Sequence, residues 1–145
     1  MPRAKLHMPE QYQFSTELDV RITDLNYANH LGNDSLLSLL HEARLRFLNH
    51  YGYSEINVDG AGIMMADVVI IYKAQGFYAD KLIIDMAIGD IAKKSCDLYY
   101  QVRKSDHKIV AQCKTALVFF DFQSQKPVRI PEGFLKKLVR QTRQD

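Results

Sequence analysis

The chain has little of what most metal, redox and nucleic-acid proteins rely on. It has only two cysteines, and it contains no C-x-x-C pair, no clustered Cys/His set and no HExxH motif, so a zinc site of the usual spacing is excluded. Cys96 and Cys113 fall in segments whose pattern predicts neighbouring strands, where small thiols fill core space, and no disulfide is expected. Charge of one sign is also scarce. With 19 basic and 17 acidic residues the net charge is +2, and no long basic run occurs, so the electrostatic footprint of nucleic-acid or anionic-membrane binding is missing. What remains open is an acidic ligand held by a few local lysines. No apolar run approaches the roughly 20 residues of a membrane span, and the basic stretch Met1 to Met8 lacks the apolar core of a signal peptide. The expectation is a cytoplasmic protein with no metal, no cofactor, no membrane partner and no nucleic acid.

What is present is one domain's worth of strongly patterned chain. At 145 residues and 47% hydrophobic content, the length allows a single core and leaves no room for a second domain. Residues 1–13 carry Pro2 and Pro9 with little periodicity and read as an arm. From Phe14 to Ile22 the apolar residues Phe14, Leu18, Val20 and Ile22 recur with period two, which predicts a strand with these four on one side. Thr23 to Asp34 is rich in Asn, Asp and Gly and reads as a loop of about a dozen residues, a length that usually signals function. Leu36, Leu40, Ala43, Phe47 and Tyr51 then repeat at helical spacing, widened by Leu37, Leu39 and Leu48. This predicts one long helix capped by Asn33 or Asp34 and stopped at Gly52.

The rest of the chain reads as strands over 63–73, 81–91, 96–104 and 109–122, the last three joined by short turns into an antiparallel meander. Pro127 and Pro131 end the sheet, and Phe134, Leu135, Leu138 and Val139 predict a short amphipathic helix in the segment 131–145. A single helix apolar over more than half its circumference needs a sheet curved around it, because a flat sheet leaves part of that face in water. The expected class is α+β, a hotdog fold over residues 14–130: a curved antiparallel sheet wrapped around one long central helix. The strand 63–73 is apolar on both faces, which predicts burial by a second subunit and hence a homodimer, or a tetramer built from dimers.

Four stretches carry a family resemblance: Val20-Arg21-Ile22-Thr23-Asp24-Leu25-Asn26, Asn29-His30-Leu31-Gly32-Asn33, Glu42-Ala43-Arg44 and Lys93-Lys94-Ser95. Together they resemble the hotdog acyl-CoA thioesterases similar to 4-hydroxybenzoyl-CoA thioesterase. The first two look like that family's D-x-D-x-x-G-H-x-N-N motif, and the third like its E-A-R helix stretch. The second Asp of D-x-D, the family's catalytic carboxylate, is here Asn26. A neutral amide donates and accepts hydrogen bonds but takes no proton from water at neutral pH. Asn29 replaces the glycine before the histidine, and Gly32 replaces the first Asn of the pair, as in a divergent subfamily.

The resemblance implies a thioester carbonyl bound at the helix N-terminus near Gly32, Asn33 and Asp34, with Asn26 and His30 positioning the reactants. The missing base is then sought among Asp34, Glu42 and Asp67, with Glu42 favoured by analogy to hotdog enzymes that use an acid on the central helix. Asp67 interrupts an apolar strand, where a carboxylate is either paired or shifted in pKa. Lys93, Lys94 and Ser95 resemble the turn that meets the phosphates of CoA, while Tyr72 and Lys73 are expected to border a pantetheine channel. The expected activity is hydrolysis of a small-molecule acyl-CoA or acyl-carrier thioester. The alternatives are a hotdog hydratase or dehydratase, for which no His/acid pair in the right context is found, and a non-catalytic acyl-thioester binding or assembly protein, which Asn26 would suit.

Overall fold

The structure, a computed structural model, describes residues 3–140. In chain order it has β1 (Phe14–Asp19), a 3₁₀ turn (Ile22–Asp24), α1 (Asn33–His50), β2 (Gly62–Tyr72), β3 (Lys81–Gly89), β4 (Ser95–Lys104), β5 (Ile109–Asp121), β6 (Lys126–Pro127) and α2 (Glu132–Phe134), which continues as a π-helical turn (Leu135–Arg140). The strands form one antiparallel sheet in the order β1-β3-β4-β5-β2, with β6 added on β5. β3, β4 and β5 are the expected meander. β2, although it precedes them in sequence, lies at the far edge against β5.

The core lies between the helix and one face of this sheet. Leu36, Leu39, Leu40, Ala43, Phe47 and Leu48 of α1 meet the inward residues Leu82, Ile84 and Met86 of β3, Leu98, Tyr100 and Val102 of β4, and Leu117 and Phe119 of β5. The period-two pattern of Leu82, Ile84 and Met86 registered this face correctly, since all three are fully buried. Phe134 and Leu138 close one end of the core, Phe134 edge-on against Phe119.

Two expectations need correcting. Ile22 does not continue the buried side of the first strand. Pairing with β3 stops at Asp19, the chain turns into the 3₁₀ segment, and Ile22 is 68% exposed. The helix is capped at Gly32, one residue before Asn33 and two before Asp34. Gly32 takes the extended N-cap conformation, its N–H bonds the Asp24 carbonyl and its carbonyl accepts the Leu36 N–H. Asp34 therefore sits in the first turn, where an acid is favourable to the helix dipole. Pro127 is the last strand residue, pairing with Phe120 in β6, so the sheet ends there as expected. At the other end of α1 the expected stop holds: Gly52 adopts φ +83, the left-handed conformation glycine accepts without strain. Cys96 and Cys113 are unpaired and buried on adjacent strands, and burial pushes both thiols up to about 12.

The arm is anchored at its end. Gln13 bonds the β3 backbone through the Met86 carbonyl, accepts the Ile88 N–H on its side chain and donates to the Leu138 carbonyl, so it ties the arm, the sheet and the C-terminal turn together.

Candidate active site

The loop before α1 is held by its own polar side chains. The buried Asp24 carboxylate accepts hydrogen bonds from the Arg21 backbone N–H and guanidinium; burial alone would raise its pKa, but these bonds outweigh it and hold it below the usual carboxylate range. Asn26 Oδ1 accepts the N–H groups of Ala28 (2.9 Å) and His30 (3.2 Å), an Asx-type closure in which Asn29 takes φ +62. Its Nδ2 group is left to donate outward. Leu31 is pinned by a bond from its N–H to the Gly76 carbonyl, and Gly76 lies so close that an added Cβ would stand 3.0 Å from the Leu31 side chain. The His30 ring packs edge-on against Phe77 at 5.2 Å.

These contacts bring Asn26, His30 and Asn33 around one cavity of about 220 Å³, whose other walls include Leu36, Tyr72, Gln75 and Val110. The N–H groups of the first helical turn have no intrahelical acceptor and open toward this loop. The site therefore offers what acyl transfer needs for a developing oxyanion, namely backbone donors at a helix N-terminus beside a side-chain amide and an imidazole.

A second, larger cavity of about 480 Å³ lies farther along the same seam between α1 and β2. Leu37, Leu40, Met65 and Val68 give it apolar walls, while His41, Arg44 and Thr115 give it a polar side. Here a connected network runs through the molecule. Glu55, on the loop after α1, accepts from Arg44 Nε at 2.9 Å and meets His41 Nε2 at 2.7 Å; Arg44 Nη1 donates to the Tyr100 hydroxyl, which pairs with Thr115 at 2.8 Å. Burial would raise the Glu55 carboxyl, yet the hydrogen bonds from His41 and Arg44 prevail and hold it below its ordinary value. None of His41, Arg44, Glu55, Tyr100 and Thr115 was assigned a site role from the sequence. The signals were that His41 and Arg44 follow Leu37 at helical spacing and that Arg44 ends the Glu42-Ala43-Arg44 stretch.

Of the remaining candidates, Tyr72 borders the first cavity, Asp67 lines the second, and the others lie outside both. Glu42 faces away from both cavities and bonds Arg46 at 3.0 Å; Arg46 also reaches Thr16 and the Glu17 carbonyl. Asp34 is exposed, with its carboxylate over Gly32. Asp67 occupies a β-bulge, where its carboxylate takes the Ala116 N–H and both oxygens pair with Lys114, so the interruption of the apolar strand is a paired carboxylate. Tyr72 borders the first cavity, but Lys73 faces a separate depression shared with Ala4 to His7 of the arm. The exposed Lys93 and Lys94 and the half-buried Ser95 stand at the β3–β4 turn. That turn is at the opposite end of the sheet from Asn26, about 25 Å along the strands, so within one subunit it does not approach the first cavity. The structure brings together Asn26, His30, Asn33 and Tyr72, and separates them from Glu42, Asp67, Lys73 and the lysine turn.

An antiparallel sheet around one central helix, with a polar loop closing on the helix N-terminus, defines the hotdog class. Among the solved structures that share it are Slr0204, a 1,4-dihydroxy-2-naphthoyl-CoA thioesterase from Synechocystis (TM-score 0.77, 19% identity, covering 85% of this chain and 93% of that one), BH1999 gentisyl-coenzyme A thioesterase (0.74, 20%, 83% and 98%) and YbaW, a probable thioesterase from Escherichia coli (0.71, 22%, 89% and 95%). At these identities the likeness is one of fold. No curated protein matches the chain. The thioesterase-like superfamily matches residues 20–138, and the chain belongs to that family.

Proposed function

We propose that the protein hydrolyses acyl-CoA thioesters, with the thioester carbonyl bound against the first-turn N–H groups of α1 and the reacting carbon facing Asn26 and His30. The observation that carries this reading is the cavity that gathers Asn26, His30 and Asn33 at the mouth of the helix. Membership of the thioesterase-like superfamily supports it. Asn26, already held through its oxygen by two backbone N–H groups, presents its NH₂ to water or to the thioester oxygen and acts as a positioning donor.

The working unit in this reading is a homodimer formed through β2. That strand is an uncovered edge, and Met64, Met65, Val68 and Tyr72 on it are large apolar side chains left in water. Leu37 and Leu45 of α1 are exposed as well. The two free cysteines suit a reducing, cytoplasmic compartment.

A second reading, an acyl-thioester binder without turnover, is favoured by the amide at position 26, which supplies no base. Release of CoA thiol from a panel of aliphatic and aromatic acyl-CoAs separates the two. Hydrolysis is the expected outcome, and binding of the panel without thiol release would establish the second reading.

A further inference from the structure

The thioesterase reading leaves the base to be assigned: Asn26 takes no proton, Glu42 is committed to Arg46 outside the cavities, Asp67 is committed to Lys114, Asp34 lines neither cavity, and the His30 ring packs on Phe77 rather than on a carboxylate. Among the described residues, one imidazole both lines a cavity on the α1–β2 seam and carries a carboxylate at hydrogen-bonding distance. It is His41, 2.7 Å from Glu55, with its side chain 53% exposed and so open to a reactant. Glu55 is itself fixed on its other oxygen by the buried Arg44. A carboxylate that orients an imidazole is the arrangement general-base catalysis uses.

Within one chain His41 is misplaced for this role. It lies eight residues beyond Asn33, about 12 Å along the helix. A second subunit removes the difficulty. β2 runs antiparallel to α1, so Tyr72 stands beside the helix start and Met65 beside His41 and Arg44. Isologous antiparallel pairing of two β2 edges reverses this order. A two-fold axis through Val68 sets each Val68 beside its own copy, covers Met65, Val68 and Tyr72 together and brings Met65 toward the partner's Tyr72. The polar cavity of each subunit then faces the Asn26 loop of the other.

Resting on the thioesterase reading, we propose that the base for thioester hydrolysis is His41, contributed across the dimer interface to the other subunit's Asn26 loop, with Glu55 as its positioning residue. The partner subunit's His41 takes a proton from water as the water oxygen bonds to the thioester carbon. The carbonyl electron pair moves to oxygen, where the first-turn N–H groups of α1 hold it. Collapse of this intermediate re-forms the carbonyl and breaks the carbon–sulfur bond, and the thiolate leaves with the proton carried by His41. The products are a carboxylic acid and CoA thiol.

The test uses the full-length protein on whichever acyl-CoA the wild type hydrolyses. His41→Gln is expected to lower kcat by a factor on the order of a hundred or more with KM little changed, and added imidazole is expected to restore part of the turnover of His41→Ala. Glu55→Gln is expected to lower kcat without raising KM, with Glu55→Asp recovering part of the loss. The decisive arm joins His41→Gln and Asn26→Ala in one heterodimer, purified through two different tags. One of its two sites is intact if the base acts in trans, so it is expected to show about half the wild-type turnover although each parent dimer is impaired. A heterodimer no more active than its parents, or a His41→Gln dimer with wild-type kcat, overturns the assignment. An inert wild type fails one step earlier and removes the thioesterase reading on which it rests, and a fully active Asn26→Ala overturns the assignment by removing the Asn26 loop as the place of reaction.

Discussion

Replacing Glu55 by Gln tests the network at its centre. The Arg44 side chain is only 9% exposed and bonds Glu55 at 2.9 Å. The substitution leaves an acceptor oxygen in nearly the same place but removes the countercharge of a buried guanidinium. Breaking a fully buried pair costs about 3–5 kcal/mol. The Glu55 side chain is 24% exposed, and the amide keeps one hydrogen bond, so the expected loss is smaller, about 1–3 kcal/mol at neutral pH. The pH dependence has a definite sign. Because the Glu55 carboxyl sits below its ordinary value when folded, its contribution is fully present above the unfolded-state pKa and disappears as pH falls through the folded-state pKa. Urea unfolding of wild type and Glu55→Gln across this range should show a stability difference that shrinks toward acid. A difference under about 0.5 kcal/mol at neutral pH, or one that persists unchanged into acid, would refute the reasoning.

The other predictions concern single contacts or surfaces. Tyr100→Phe removes the hydroxyl shared by Arg44 and Thr115 inside the core and should cost about 1–3 kcal/mol, read as a drop in Tm of roughly 3–10 °C; an unchanged Tm would mean the network adds no stability. Val68→Lys places a charge on the exposed β2 edge and should shift sedimentation toward a folded monomer, whereas an intact dimer would exclude β2 as the interface. Replacing both Lys93 and Lys94 with Ala should weaken CoA thioesters more than thioesters lacking the nucleotide, and equal weakening would mean the turn meets no phosphate.

How much of this was legible in the sequence depends on the range of the interaction. The meander was legible because Leu82, Ile84 and Met86 recur at every second position facing the core, and the helix because its apolar stripe is wide. Ile22 was misread because alternation continues for one step after hydrogen bonding to β3 has ended, and periodicity does not register pairing. The helix start was misread because the cap is made by backbone contacts of Gly32 to Asp24, which leave no side-chain signal. In the site, Asn26, His30 and Asn33 converge because they share one short loop and the helix it leads into. Glu42 was favoured as an acid on the helix, but its neighbour His41 is the one turned to the cavity. The link from His41 to Glu55 spans 14 residues through an irregular loop, and Tyr100 reaches Arg44 from 56 residues away. Contacts of that kind are set by tertiary packing and have no local pattern.

The central claim is that the helix N-terminus beside Asn26 holds the thioester. A crystal structure with a non-hydrolysable acyl-CoA analogue, in which the thioester is replaced by a methylene ketone, measures this directly. The analogue's carbonyl oxygen is expected within hydrogen-bonding distance of the Asn33 or Asp34 N–H, with the carbonyl carbon facing Asn26 and His30. An analogue seated elsewhere, with these N–H groups bonded only to water, would contradict it.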